Sequence, residues 1–171
     1  SAVDIVRLIK ICKNRNIKII EDSSESFGTK YKFGKLKNRY SGTIGDIGCF
    51  SFNGNKIVTA GIGGAIVSNN KNYITKSKYL INQAKDRSFD YIHNSVGYNY
   101  RLSNLHSAIG LSQIESIKFI MKKKIKIRQQ YSKIFKNNKN ILLINTPEYS
   151  INNNWLNVIY FKNVTKKKKL L

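Results

Sequence analysis

Lys56 lies in the stretch GCFSFNGNKIVTAGIGGAIVSNN, from Gly48 to Asn70, which is otherwise built of small, apolar and uncharged polar residues. The remainder of the chain is crowded with lysine. A lysine between two buried apolar segments cannot easily reach bulk water. Burial disfavours its charged form, lowers its pKa and makes the amine a nucleophile toward an aldehyde. Taken by itself, Lys56 is more simply an ordinary loop lysine with its head in solvent. Its neighbours shift that balance. Ser51, Asn53 and Asn55 offer hydroxyl and amide groups that can hydrogen-bond a phosphate or hydroxyl of a bound cofactor. Gly61, Gly63 and Gly64 let backbone approach a ligand closely, although a turn needs glycine as well. Asp22 is the second chemical candidate. A carboxylate just past a buried apolar run is costly unless it meets a partner. It could cap a helix over Ser23–Ser26, or it could be the anion that keeps a pyridinium nitrogen protonated. Both readings stay open at this point.

These residues must be positioned by regular elements, and the hydrophobic pattern supplies them. Val3, Ile5, Val6, Ile9 and Cys12 recur at helical spacing, so residues 2–13 are expected to form a helix. The β-branched run Ile17–Ile20 reads as a buried strand with Asp22 just past its end. Asp46–Phe52 and Gly63–Asn69 read as further strands, with Asn53–Ile62 a loop around Lys56. Residues 28–45 read as a surface excursion. A helix is expected over 71–84. Tyr91–Asn104 reads as a structured loop, and Ser103 as the N-cap of the helix that follows it. A longer helix carries Ile117 to Phe135. Pro147 marks a boundary, and Asn153–Phe161 reads as a strand, possibly in another domain. Polar groups gathered at the carboxyl ends of strands fit an α/β architecture.

The 171 residues carry 41% hydrophobic residues, which excludes a disordered chain, and a formal net charge of +22. That charge suggests a nucleic-acid or membrane partner. The lysines, however, are dispersed and accompanied by abundant Asn and Ile. The dense runs Lys122–Lys126 and Lys166–Lys169 are explained more cheaply as a solvated helix face or an exposed end. No nucleic-acid and no membrane partner is therefore expected. Cys12 and Cys49 have no metal-ligand spacing and read as buried small hydrophobes in a reducing compartment. With no secretory pattern and no long apolar run, a cytoplasmic location is expected.

Three segments, IIEDSSESFG, GDIGCFSFNGNKIVTAGIGGAIVSN and GYNYRLSNLHSAIGLSQIE, together resemble the DegT/DnrJ/StrS family of sugar aminotransferases. The resemblance runs from about residue 1 to residue 135. It implies an α/β chain that forms the central part of the large domain of the pyridoxal-phosphate-dependent transferase fold type I. In that fold a mostly parallel sheet is flanked by helices and runs into a small domain. The implied division is 1–115 for part of the large domain, 116–137 for a linking helix and 138–171 for the start of the small domain. Lys56 stands at the position of the family's Schiff-base lysine, and Asp22 at that of the aspartate that pairs with the pyridine nitrogen. Glu25 occupies the variable polar position beside the cofactor ring, and Ser51 that of the phosphate-binding serine. Asn99 matches an asparagine that reaches the cofactor phosphate of the neighbouring subunit, which implies a homodimer with shared active sites. Arg101 would be structural.

The implied cofactor is pyridoxal 5'-phosphate. The implied activity is ping-pong transfer of an amino group from an amino acid, by analogy glutamate, to a nucleotide-linked keto-deoxysugar, for surface glycan or nonulosonic acid synthesis. Ser23 and Ser24 replace the family's usual alanines, and Ile62 departs from its glycine cluster, where it bears on substrate preference. His93 has no assigned role, and His106 reads as structural. Lys56 argues against a sugar 3-dehydratase, which carries histidine there. A regulatory or truncated cofactor-binding relative is the alternative. The family's full chain is more than twice this length, so the isolated 171-residue chain is expected to be inactive.

Overall fold

The structure, a computed structural model, describes residues 1–86 and 89–162. In chain order its elements are α1 (Ile5–Lys13), β1 (Ile20–Asp22), β2 (Lys30–Tyr31), a 3-10 turn (Gly34–Leu36), β3 (Ile47–Ser51), β4 (Gly64–Val67), α2 (Lys71–Ile81), α3 (Asn104–Glu115), α4 (Ile117–Phe135), β5 (Ile141–Leu143), β6 (Ser150–Ile151) and β7 (Ile159–Phe161). The central sheet has the order β1-β3-β4. β1 pairs parallel to β3, with Asp22 opposite Cys49. β3 pairs antiparallel to β4, with Ser51 opposite Gly64. Because β1 and β3 run in the same direction, Asp22 and Ser51 both emerge at the sheet's carboxyl edge. The Lys56 loop follows directly from β3 and re-enters the sheet through β4.

That loop is held by its own apolar residues. Phe52, Ile57, Val58 and Ala60 are buried, and Phe27, Phe50, Leu102, Met121 and Trp155 pack against them. Burying an Ile or Val side chain stabilises by roughly 1.5–3 kcal/mol. The two residues after Lys56 therefore anchor the loop in the core and fix where the lysine starts. A second cluster joins Ala2 and Ile5 to Tyr31 beneath α1.

Several boundaries differ from the sequence expectation. β1 begins at Ile20, so Asp22 lies inside the strand, and Ile17 and Ile20 are exposed. The ladder starts late because Asp46 takes the preceding group: the Ile19 N–H donates to Asp46 Oδ2 at 2.8 Å. Residues 28–45 are more than a surface excursion, since Thr29, Tyr31 and Ser41 are buried and β2 pairs antiparallel with β6. The expected strand over Asn153–Phe161 is paired only from Ile159, as β7 against β5. Its first half serves a different purpose, described below. The helix expected over 71–84 ends at Ile81, and Gln83 and Ala84 turn the chain with φ of 63° and 50°. Ser103 does cap α3, its side chain accepting from the His106 N–H.

Both cysteines are free thiols, and among the described residues no cluster could hold a metal ion. No described helix is long and apolar enough to cross a membrane. The lysine run 166–169 lies outside the described residues.

Candidate active site

Strand alternation at the end of β1 gives two neighbouring carboxylates opposite tasks. Glu21 points inward and is buried. Its oxygens accept the backbone N–H groups of Gly42 at 2.8 Å, Ile44 at 2.6 Å and Gly45 at 2.7 Å. One charge thus satisfies three donors and pins the loop at 42–45 to the sheet. Asp22 points the other way and is exposed. It accepts the Ser24 N–H at 3.1 Å. Hydrogen bonds from the Ser24 hydroxyl and N–H, joined by the positive charge of Lys56, hold its carboxyl below the usual carboxylate range against a modest opposing effect of burial. Residues 24–28 form turns rather than a helix, so Asp22 caps a turn. Ser24, one of the replacements for alanine, is thus a hydrogen-bond donor to the candidate anion.

Lys56 does not have its head in free solvent: its side chain is 14% exposed. Its Nζ lies 3.7 Å from Glu25 Oε1 and 4.5 Å from the centre of the Trp155 ring. The Glu25 side chain is 61% exposed, so this long ion pair is worth less than about 1 kcal/mol. An ammonium over an indole face contributes about 0.5–2 kcal/mol, depending on desolvation. Trp155 is therefore at least as strong a partner of the amine as Glu25.

Trp155 was not legible as a site residue. It is the sole tryptophan of the sequence and sits in the polar run INNNW. The chain there departs from strand pairing because Asn153 is buried and fully engaged. Its Nδ2 donates to the carbonyls of Glu25 at 2.8 Å and Phe27 at 3.0 Å. Its own N–H donates to Thr29 Oγ1 at 3.1 Å, and its Oδ1 accepts the Trp155 N–H at 3.0 Å. The indole Nε1–H then donates to the Asn55 carbonyl at 2.6 Å. Beside this contact a small cleft of about 170 Å³ is lined by Glu25, Arg128, Asn152, Asn154 and Trp155 among others.

The other expected residues are distributed as follows. Ser51 Oγ accepts the Asn53 N–H at 3.4 Å, at the carboxyl end of β3. Asn99 lines a separate cleft of about 760 Å³ with Phe50, Ile62, Leu102 and His106, and Lys56 is not part of that lining. His93 Nδ1 meets the Gln83 carbonyl at 2.9 Å in an exposed loop. The sequence left two uses open for the glycines, close approach of a ligand and a turn, and Gly63 and Gly64 serve the turn. Gly63 has φ of +86° and a Cβ there would collide with the Leu102 side chain, while one on Gly64 would collide with the Phe50 carbonyl. Both sites are closed by protein, so these residues are small for packing and turning. Burial, followed by the charge of Asp22 across the strand, pushes the Cys49 thiol up, which keeps it protonated.

A lysine on the loop after β3, beside a carboxylate at the carboxyl end of the neighbouring strand β1, fits a transferase of the pyridoxal-phosphate type I fold, and solved structures share that fold. PseC of Helicobacter pylori, an aminotransferase involved in the biosynthesis of pseudoaminic acid, superposes with a TM-score of 0.85 at 28% identity, over 99% of this chain and 45% of its own. DesV of S. venezuelae matches with a TM-score of 0.86 at 20% identity, over 98% of this chain and 43% of its own, and shows the fold alone. The chain belongs to the DegT/DnrJ/EryC1/StrS aminotransferase family, whose sequence profile matches residues 1–171. GDP-perosamine synthase of Escherichia coli O157:H7 is 39% identical over 130 residues, which is 76% of this chain and 34% of that protein. The UDP-4-amino-4,6-dideoxy-N-acetyl-beta-L-altrosamine transaminase of Campylobacter jejuni strain 81-176 is 34% identical over 151 residues, 87% of this chain and 39% of that protein. The chain thus spans between a third and two fifths of the length of these relatives.

Proposed function

We propose that the protein to which this chain belongs is a pyridoxal-phosphate-dependent aminotransferase that moves an amino group from an amino acid, glutamate by analogy, to a nucleotide-linked keto-deoxysugar for glycan synthesis. The observation that carries this reading is the Lys56 amine, sheltered from solvent and within electrostatic reach of an Asp22 carboxylate that stays anionic. The family's aminotransferases use pyridoxal 5'-phosphate. The residues present fit that group. Its aldehyde needs an amine, its ring nitrogen an anion that resists protonation, and its phosphate a hydroxyl or amide donor. Lys56, Asp22 and Ser51 supply these at one edge of one sheet.

When bound, the cofactor supplies an aldehyde for the amine and a ring that withdraws electrons from the donor's α-carbon. Lys56 would hold it through the side-chain amine. The free Lys56 Nζ would serve as the base that takes the proton from the donor's α-carbon and as the acid that gives it back on the far side of the amine nitrogen. Asp22 would hold the ring nitrogen protonated, and Ser24 lowers the pKa of that carboxyl. Ser51 would bind the phosphate. Glu25, ion-paired with the amine at 3.7 Å, would lie beside the ring.

The assembly proposed with this activity is a cytoplasmic homodimer in which Asn99 reaches the phosphate of the neighbouring subunit's cofactor. The division at 1–115, 116–137 and 138–171 belongs to the same proposal. Nucleotide sugars as substrates are supported by the names of the relatives above. The direct test is incubation of the intact gene product with pyridoxal phosphate and glutamate. Loss of the visible cofactor band and growth of the pyridoxamine spectrum are expected. A chain that binds cofactor and never converts it would be a regulatory relative instead.

A further inference from the structure

We propose that Asn153 and Trp155 form a clamp that positions the Lys56 amine for the cofactor, an inference that rests on reading Lys56 as the cofactor lysine. A lysine head sits on a flexible four-carbon stem, and nothing in a loop fixes where it points. Glu25 is too exposed to do so alone. Trp155 holds the lysine at both ends. Its indole N–H ties the carbonyl of Asn55, immediately before the lysine, and its ring faces the amine at 4.5 Å. Trp155 is in turn fixed by Asn153, which is 1% exposed and spends every polar atom of its side chain on Glu25, Phe27 and Trp155. The same asparagine therefore sets the backbone that carries Glu25 and the ring that faces Lys56. A segment about a hundred residues away in sequence aims the amine. Trp155 acts through Lys56 and is a positioning residue. Preorganisation of this kind improves capture of a ligand by removing the freedom the amine would otherwise lose.

Two readouts in the intact gene product test this, and neither needs turnover. The first is the NMR signal of Lys56 after reductive 13C-methylation of the lysines, assigned by its disappearance in Lys56→Arg. The indole ring should displace it from the bulk lysine signals. The displacement should persist in Trp155→Phe, which keeps a ring face, and vanish in Trp155→Leu. The second is capture of pyridoxal phosphate on Lys56, trapped with borohydride and read on the Lys56 peptide. Half-saturation should weaken by about threefold in Trp155→Phe, which keeps the ring face and loses the tie to Asn55, and by about tenfold in Trp155→Leu, which loses both. Trp155→Met replaces the leucine variant if that one does not fold. An undisplaced Lys56 signal in the unaltered protein, or equal capture by the leucine or methionine variant, overturns the clamp alone. If the unaltered protein traps no cofactor on Lys56 at all, the reading under Proposed function fails and the clamp falls with it.

Discussion

Three side chains at the end of β1 and in its following turn divide the electrostatic work. Glu21 is a structural anion, Asp22 the candidate chemical one, and Ser24 the donor that lowers the Asp22 pKa. Glu21→Ala strands three backbone donors, one buried and two part-buried. It should cost on the order of 3 kcal/mol or more in denaturant unfolding, whereas Asp22→Asn should cost little stability. Asp22→Asn should instead abolish transamination, because a neutral amide cannot hold the ring nitrogen protonated. Ser24→Ala removes the hydroxyl that lowers the Asp22 pKa, so the Asp22 carboxyl should titrate at higher pH by NMR. Asp22 has its folded pKa lowered, so its contribution to stability is present at neutral pH and is lost as pH falls through that lowered value. The proposed pairing of Asp22 with a cofactor and the proposed role of Lys56 come from a motif resemblance in the sequence. The donor role of Ser24 was not legible there, because a serine in place of alanine shows nothing about its hydrogen bonds until the turn is built.

At the scale of elements, what was legible was whatever the local pattern decides. The β3–loop–β4 unit, the cap at Ser103 and the helices α1 to α4 follow from β-branched runs, capping chemistry and helical spacing. What escaped was long-range. β2 pairs with β6 across more than a hundred residues, and Asn153 leaves its expected strand because the carbonyls of Glu25 and Phe27 take its side chain. The glycines of AGIGG were visible as glycines. That Leu102 and the Phe50 carbonyl fill the space over Gly63 and Gly64 was not. Gly63→Ala meets both a positive φ and the Leu102 side chain, so it should destabilise by about 1–3 kcal/mol in thermal or denaturant melts. The contact of α1 with β2 carries its own pH signature. Burial and the charge of Glu21 push the Tyr31 phenol up from 10.0 to about 12. A raised folded pKa gives stability that is intact below the unfolded value and lost as pH rises through the folded one. Unfolding free energy should therefore decline between pH 10.0 and about 12, and Tyr31→Phe should flatten that decline.

At the scale of the whole molecule, the chain carries the sheet edge with Lys56, Asp22 and Ser51 and spans about a third to two fifths of its relatives. The isolated 171 residues should show no transamination, while the intact gene product should, in a coupled assay for 2-oxoglutarate release from glutamate. The account turns on Lys56. Its most direct test is the visible absorbance of the intact gene product after loading with pyridoxal phosphate and removal of free cofactor, compared with Lys56→Ala. The account predicts a visible band in the unaltered protein that is absent in Lys56→Ala, together with loss of amino-group transfer. A Lys56→Ala protein that kept both the band and the activity would contradict it.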